Sequence, residues 1–139
     1  MSYLLDTNII SEVMRKKPNV GVVAWLEAIP STQLYLSVLT LGELRKGIER
    51  LKASKRKIDL VLWLEQELID WFGENILPID QAVAERWGYL SATSQQTLAA
   101  IDDLLAATAL TNNLRMVTRN TKNFKCDGLE VIDPFQSVS

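Results

Sequence analysis

Short apolar runs alternate with longer amphipathic ones along the whole chain. Runs at 3–5, 34–37, 76–79, 116–118 and 131–132 have the length and bulky composition of buried strands. Between them, apolar residues recur at helical spacing near 8–15, 19–28, 41–52, 55–72, 81–93 and 100–112. Pro18-Asn19, Pro30-Ser31, Gly73 and Pro78 punctuate the joins, and Asn19, Thr40, Ser54 and Asp80 are the expected helix N-caps. The alternation predicts an α/β fold, a central parallel sheet of four to five strands flanked by helices. The polar stretch 91–97 is the most loop-like part of the chain.

Composition narrows the class. A chain of 139 residues, 47% hydrophobic, suits one compact domain spanning 1–139. The lone Cys126 has no disulfide partner in the chain and no histidine to activate it, so an inert thiol in a reducing compartment, the cytoplasm, is expected. No apolar run approaches about 18 residues, and the first strand begins too early for a secretion signal, so neither membrane insertion nor export is expected. Net charge is −2, yet seven basic residues lie between Arg45 and Lys57 against Glu49 alone. That patch reads equally as a solvated helix face or as a track for a phosphate backbone.

The absence of histidine is the most restrictive fact about the chemistry. It excludes Ser-His-Asp and Cys-His catalysis and histidine zinc sites, leaving carboxylates, amides, hydroxyls, Lys/Arg or a hard metal. Four polar positions stand where such chemistry would gather. Asp6 ends the first strand, Glu43 lies at the start of the helix after the second, Asp102 and Asp103 interrupt an apolar helix, and Asn120 follows the fourth strand. In a parallel sheet all four belong to the carboxyl edge, where open α/β folds bind ligands. Each has a local alternative: Thr40 with Glu43 fits a capping box, Asp6 a cap, the aspartate pair a dipole partner, and Asn120 a turn. Together they form a cluster of carboxylates, costly to desolvate unless a cation such as Mg²⁺ or Mn²⁺ compensates it. Such an ion, with basic residues nearby, suits phosphodiester hydrolysis.

Four segments in this order resemble the PIN-domain ribonucleases, specifically the VapC-like toxins of type II toxin-antitoxin pairs. They are Leu4-Leu5-Asp6-Thr7-Asn8-Ile9-Ile10-Ser11-Glu12, Leu36-Ser37-Val38-Leu39-Thr40-Leu41-Gly42-Glu43-Leu44, Ile101-Asp102-Asp103-Leu104-Leu105-Ala106-Ala107-Thr108-Ala109 and Val117-Thr118-Arg119-Asn120-Thr121-Lys122-Asn123-Phe124. The resemblance implies a PIN-like sheet ordered 3-2-1-4-5 and a Mg²⁺ site, with Mn²⁺ an alternative, held by Asp6, Glu43 and Asp102. Asp102 is preferred to Asp103 because the family's acid is followed by a small or variable residue and then by the Leu-(Leu/Ile)-Ala-Ala run, here Leu104 to Ala107. Asn120 stands where many members carry a fourth acid, a departure that weakens a second metal position. Thr7, Asn8 and Thr118 look like groups that orient ligands or a water. The implied activity is RNA cleavage by a metal-activated water, with 5′-phosphate and 3′-hydroxyl ends. The implied partners are RNA, a cognate antitoxin lying in a groove beside the acids, and a second copy of the chain, the dimer joining a larger complex with antitoxin. Trp25, Trp63, Trp71 and Trp87 are candidates for such surfaces, although the first, second and fourth sit at apolar helical positions that favour packing.

Other readings remain. A phosphoacceptor signalling domain has a similar length and fold class but wants paired acids after its first strand, where this chain has only Asp6. A haloacid-dehalogenase-type phosphatase needs an acid at position 8, occupied by Asn8. A PIN fold kept for RNA or protein binding alone is the third, and Asn120 is the residue that keeps it open.

Overall fold

The computed structural model describes residues 1–93 and 100–136. Five strands, β1 (Tyr3–Leu5), β2 (Leu34–Ser37), β3 (Ile76–Leu77), β4 (Arg115–Val117) and β5 (Val131–Ile132), form one parallel sheet ordered β3-β2-β1-β4-β5. This is the order implied by the resemblance. The helices are α1 (Thr7–Val13), α2 (Val20–Ala28), α3 (Val38–Glu49), α4 (Lys55–Leu62), α5 (Leu68–Phe72), α6 (Gln81–Thr93) and α7 (Ala100–Thr111).

Side chains of a strand point alternately to its two faces, and the core divides accordingly. Tyr3 and Leu5 of β1 join Leu34, Leu36, Ile9, Ile10, Leu44, Leu68 and Phe72 on one face. Leu4, between them, joins Met116, Leu105, Ala106, Ala109 and Phe124 on the other. Leu4 and Leu5 are both fully buried, so β1 is the inner strand of a three-layer α/β/α sandwich. Of the tryptophans, Trp25 meets Tyr3 edge to face at 5.0 Å, Trp63 packs on the first core cluster, and half-exposed Trp71 leans on Phe72.

Three local expectations change. Helix α3 starts at Val38, capped by Ser37, whose hydroxyl accepts from the Leu39 N–H at 3.0 Å. Ser37 ends β2 and opens α3 at once, which leaves no loop in between and removes Thr40 from the cap position. The capping-box reading of Thr40 and Glu43 therefore fails: Thr40 is buried inside the helix and Glu43 stands in its second turn. The helical stretch over 55–72 is interrupted by a π-turn at Trp63–Glu67, which turns Leu64 into the core. Residues 91–93 continue α6 instead of forming a loop, with the Thr93 hydroxyl donating to the Tyr89 carbonyl at 3.0 Å; residues 94–97 lie outside the described residues. The caps at Asn19, Ser54 and Asp80 form as expected, each accepting an N–H three residues ahead.

Candidate active site

Asp6 is the first residue beyond β1 and the N-cap of α1, and it is only 5% exposed. Its carboxylate accepts from the Thr7 N–H at 2.8 Å, the Thr118 hydroxyl at 2.7 Å and the Asn8 amide at 3.2 Å. Two adjoining strand ends supply these donors: Thr118 follows β4, the neighbour of β1, and is fully buried. Thr118 also accepts from the Asn120 N–H at 3.0 Å, while the Asn8 side-chain oxygen accepts from the Arg119 N–H at 3.2 Å. One hydroxyl thus ties the ends of β1 and β4 together around a buried carboxylate.

Glu43 comes from the opposite flank of β1. The Thr7 hydroxyl donates to its Oε1 at 2.5 Å, and the buried Thr40 hydroxyl lies 3.2 Å from Thr7, which explains the burial of a polar residue within α3. Asp102, in the first turn of α7, accepts from the Asn123 amide at 3.2 Å. Asn123 sits in the single helical turn that follows Asn120, a role that no spacing in the sequence marked.

Asp6, Glu43, Asp102 and Asn120 line one cavity of about 420 Å³ at the carboxyl edge of the sheet. Asp103 does not: consecutive helical side chains diverge by about 100°, and its charge is felt by the half-buried Cys126 as well as by Asp102. The other walls come from Thr7, Asn8, Ser11, Glu12, Arg15, Arg119 and Phe135. Among these, Arg15 and Phe135 lie outside the segments that carry the resemblance, and Glu12, inside the first of them, was given no role; it is buried, accepting from the Asn19 N–H at 2.8 Å and from Arg15 at 3.4 Å.

The electrostatics follow from burial. Desolvation lifts the Asp6 carboxyl above its ordinary value, the Thr118 and Thr7 bonds oppose the lift, and the charges of Asp102 and Glu43 add to it. Asp102 is likewise raised, first by burial, with Asn123 opposing and Glu43 and Asp103 adding. Asp103 is raised by burial alone, and the Cys126 thiol is pushed up by burial and by its acidic neighbours, which keeps it protonated and unreactive.

Among the described residues, no three acidic or cysteine side chains stand close enough to enclose a metal ion by themselves. Asp6, Glu43 and Asp102 share the cavity without closing into a compact cage, and Glu43 is turned toward Thr7. An oxygen-only donor set with open space and uncompensated charge fits a hard divalent cation that keeps part of its water shell. It does not fit a closed zinc centre.

Much of the basic patch is consumed locally. Arg45 pairs with Glu65 at 2.6 Å and Glu49 at 3.3 Å, Lys55 with Asp59 at 3.0 Å, and the Lys57 ammonium donates to the carbonyls of Glu49 and Leu51. Lys46 and Arg50 instead line a second groove of about 480 Å³ that Glu43 shares with the acidic cavity. Among the described residues, no helix is long and apolar enough to cross a membrane.

Comparison with known proteins agrees with this architecture. The PIN domain family matches residues 3–126. The chain is 39% identical to Toxin FitB of Neisseria gonorrhoeae over 135 residues, covering 95% of this chain and 97% of that protein. It is 35% identical to VapC ribonuclease Y4jK of Sinorhizobium fredii, covering 96% and 97%. The crystal structure of FitAcB from Neisseria gonorrhoeae superposes with a TM-score of 0.91 at 38% identity, covering 96% of this chain and 99% of that one. A toxin-antitoxin complex from Klebsiella pneumoniae superposes with a TM-score of 0.71 at 28% identity, covering 99% and 100%. Fold, motif order and identity over nearly the whole length agree: the chain belongs to the PIN-domain family, in the company of the VapC and FitB toxins.

Proposed function

We propose that the chain is the endoribonuclease toxin of a type II toxin-antitoxin pair and that it hydrolyses RNA in the acidic cavity with a divalent cation, Mg²⁺ or Mn²⁺. The observation that carries this reading is the gathering of Asp6, Glu43, Asp102 and Asn120 around one cavity, with two of the carboxyls raised by burial and mutual charge. Similarity to a VapC ribonuclease supports the reaction class, and similarity to FitB supports the toxin role.

Asp6 and Asp102 are the principal ligands for the cation, with Glu43 beside them and Asn120 offering a neutral oxygen. When bound, the ion would polarise a phosphate oxygen and acidify a water. The protein's own groups do the positioning. Three donors fix Asp6, Asn123 fixes Asp102, and the Thr7 hydroxyl holds Glu43 where it can take a proton from the attacking water. The water oxygen bonds to phosphorus as the bond to the 3′ oxygen breaks, and the departing 3′ oxygen takes a proton from solvent. The products are a 5′-phosphate and a 3′-hydroxyl.

The partners follow the same likeness: an antitoxin protein, and a second copy of the chain in a homodimer that joins a larger complex with the antitoxin. The cytoplasm is the compartment in which such a pair would act. The test is RNA cleavage and Mn²⁺ calorimetry on wild type, Asp6→Asn and Asp102→Asn. Wild type should bind Mn²⁺ and cut RNA, lose cleavage in chelator and regain it on metal addition, and both variants should lose both properties. Equal metal affinity in wild type and Asp6→Asn, or undiminished cleavage by Asp102→Asn, refutes the assignment.

A further inference from the structure

We propose that Arg119, braced against Phe135, is the catalytic cation that grips the phosphate under attack. This inference rests on the ribonuclease reading above.

Arg119 lines the cavity that holds the carboxylates of Asp6, Glu12, Glu43 and Asp102, yet among the described residues it forms no ion pair with any of them. Coulomb attraction alone would draw it to one. Instead its guanidinium carbon stands 4.7 Å over the centroid of the Phe135 ring, and Phe135 lines the same cavity. The backbone is fastened as well: the Arg119 N–H donates to the side-chain oxygen of Asn8, whose amide in turn donates to Asp6. Main chain and side chain are therefore each restrained, by partners that belong to the site.

A guanidinium carries five N–H donors, and those not turned toward the ring stay available to a ligand. Those donors match two non-bridging phosphate oxygens in a bidentate pair. As the water oxygen approaches phosphorus, negative charge gathers on these oxygens, and a donor already held in place stabilises it without reorganisation. Arg15, the other arginine of the cavity, does not fit this role. Its guanidinium is already paired with Glu12 at 3.4 Å. Phe135 lies beyond the last strand, so the pairing arises only when the segment after β5 folds back over the end of β4.

The experiment measures cleavage of a 5′-labelled pool of random-sequence RNA by wild type, Arg119→Ala, Arg119→Lys, Phe135→Leu and Asp102→Asn, with melting curves for each. Arg119→Ala should lose kcat on the order of a hundredfold with KM little changed, keep its melting temperature, and recover part of the rate when guanidinium ion is added. Arg119→Lys should fall between wild type and Arg119→Ala, and Phe135→Leu should lower kcat by a smaller factor. Unchanged kcat in Arg119→Ala, a loss confined to KM, or no recovery with guanidinium overturns the proposal. The KM-only result would make Arg119 a docking residue for a strand or for a partner protein. If Asp102→Asn stays active, the ribonuclease reading falls and this proposal with it. If Asp102→Asn is dead while Arg119→Ala is not, only this proposal falls.

Discussion

Thr118→Val is the substitution that most directly separates the site's structure from its chemistry. The side chain is fully buried, and valine fills nearly the same volume, so packing is preserved while the hydroxyl is removed. The main loss is the 2.7 Å bond to Asp6. A hydrogen bond to a charged group contributes about 1.5–3 kcal/mol. The Asn120 N–H and the Asn8 amide also lose an acceptor, but both groups belong to cavity-lining residues and can turn to water. At about 4 °C per kcal/mol for a domain of this size, the melting temperature at neutral pH should drop by roughly 6–12 °C. The effect should shrink as pH falls through the raised Asp6 pKa, because a protonated Asp6 no longer needs that donor. The same bond lowers the Asp6 pKa, so its loss raises a carboxyl that burial has already raised. The acid limb of the pH–rate profile should move to higher pH. Differential scanning calorimetry and cleavage rates across pH test both parts. A variant that melts within about 2 °C of wild type at neutral pH, with an unmoved profile, would show that the hydroxyl does not hold the carboxylate as described.

Asp102→Asn should abolish RNA cleavage whereas Asp103→Asn keeps most of it, since only the former lines the cavity; equal losses in a gel assay would refute that division. In metal-free protein the Asp6 and Asp102 carboxyls are raised above their ordinary 3.8, so the fold binds protons more tightly than the unfolded chain. Their ionisation therefore costs stability at pH values above the folded pKa. This cost fades as pH falls and is gone below the unfolded value. Asp102→Asn should accordingly raise the metal-free melting temperature at pH 7 and lose that advantage near pH 4, and a variant less stable than wild type at pH 7 would contradict the sign. Asn120→Asp should tighten Mn²⁺ binding by calorimetry, by on the order of a kcal/mol for one added charge nearby, without a matching gain in rate, since the same charge repels phosphate. Unchanged affinity would leave Asn120 outside the metal's reach.

The strands were legible because a buried parallel sheet demands continuous bulky runs, and those at 3–5, 34–37 and 131–132 match the structure to the residue. The start of α3 was not. Ser37 serves as strand end and helix cap together, so no polar loop announces the boundary, and the Thr40–Glu43 spacing imitates a cap that the buried Thr40 does not form. The π-turn at Trp63–Glu67 leaves no mark either, since one extra residue in a turn barely disturbs an amphipathic pattern. In the site, the acids were readable from their places at strand and helix ends. Their fixing partners were less so: Asn123 meets Asp102 and Phe135 meets Arg119 only through tertiary folding, and neither residue type at its position signals its partner.

The central place of β1 has a consequence for the timing of synthesis. Asp6 is synthesised 112 residues before the hydroxyl that holds it, and β4 cannot pair with β1 until that stretch has been made. Glu43 and Thr7 can meet in the early half of the chain, whereas Asp102, Thr118 and Arg119 arrive together at the far end. A growing polypeptide therefore exposes isolated acids but no assembled cavity. For a chain acting as the ribonuclease proposed above, the message and ribosome making it are spared by topology alone until β4 and the residues that follow it have been made.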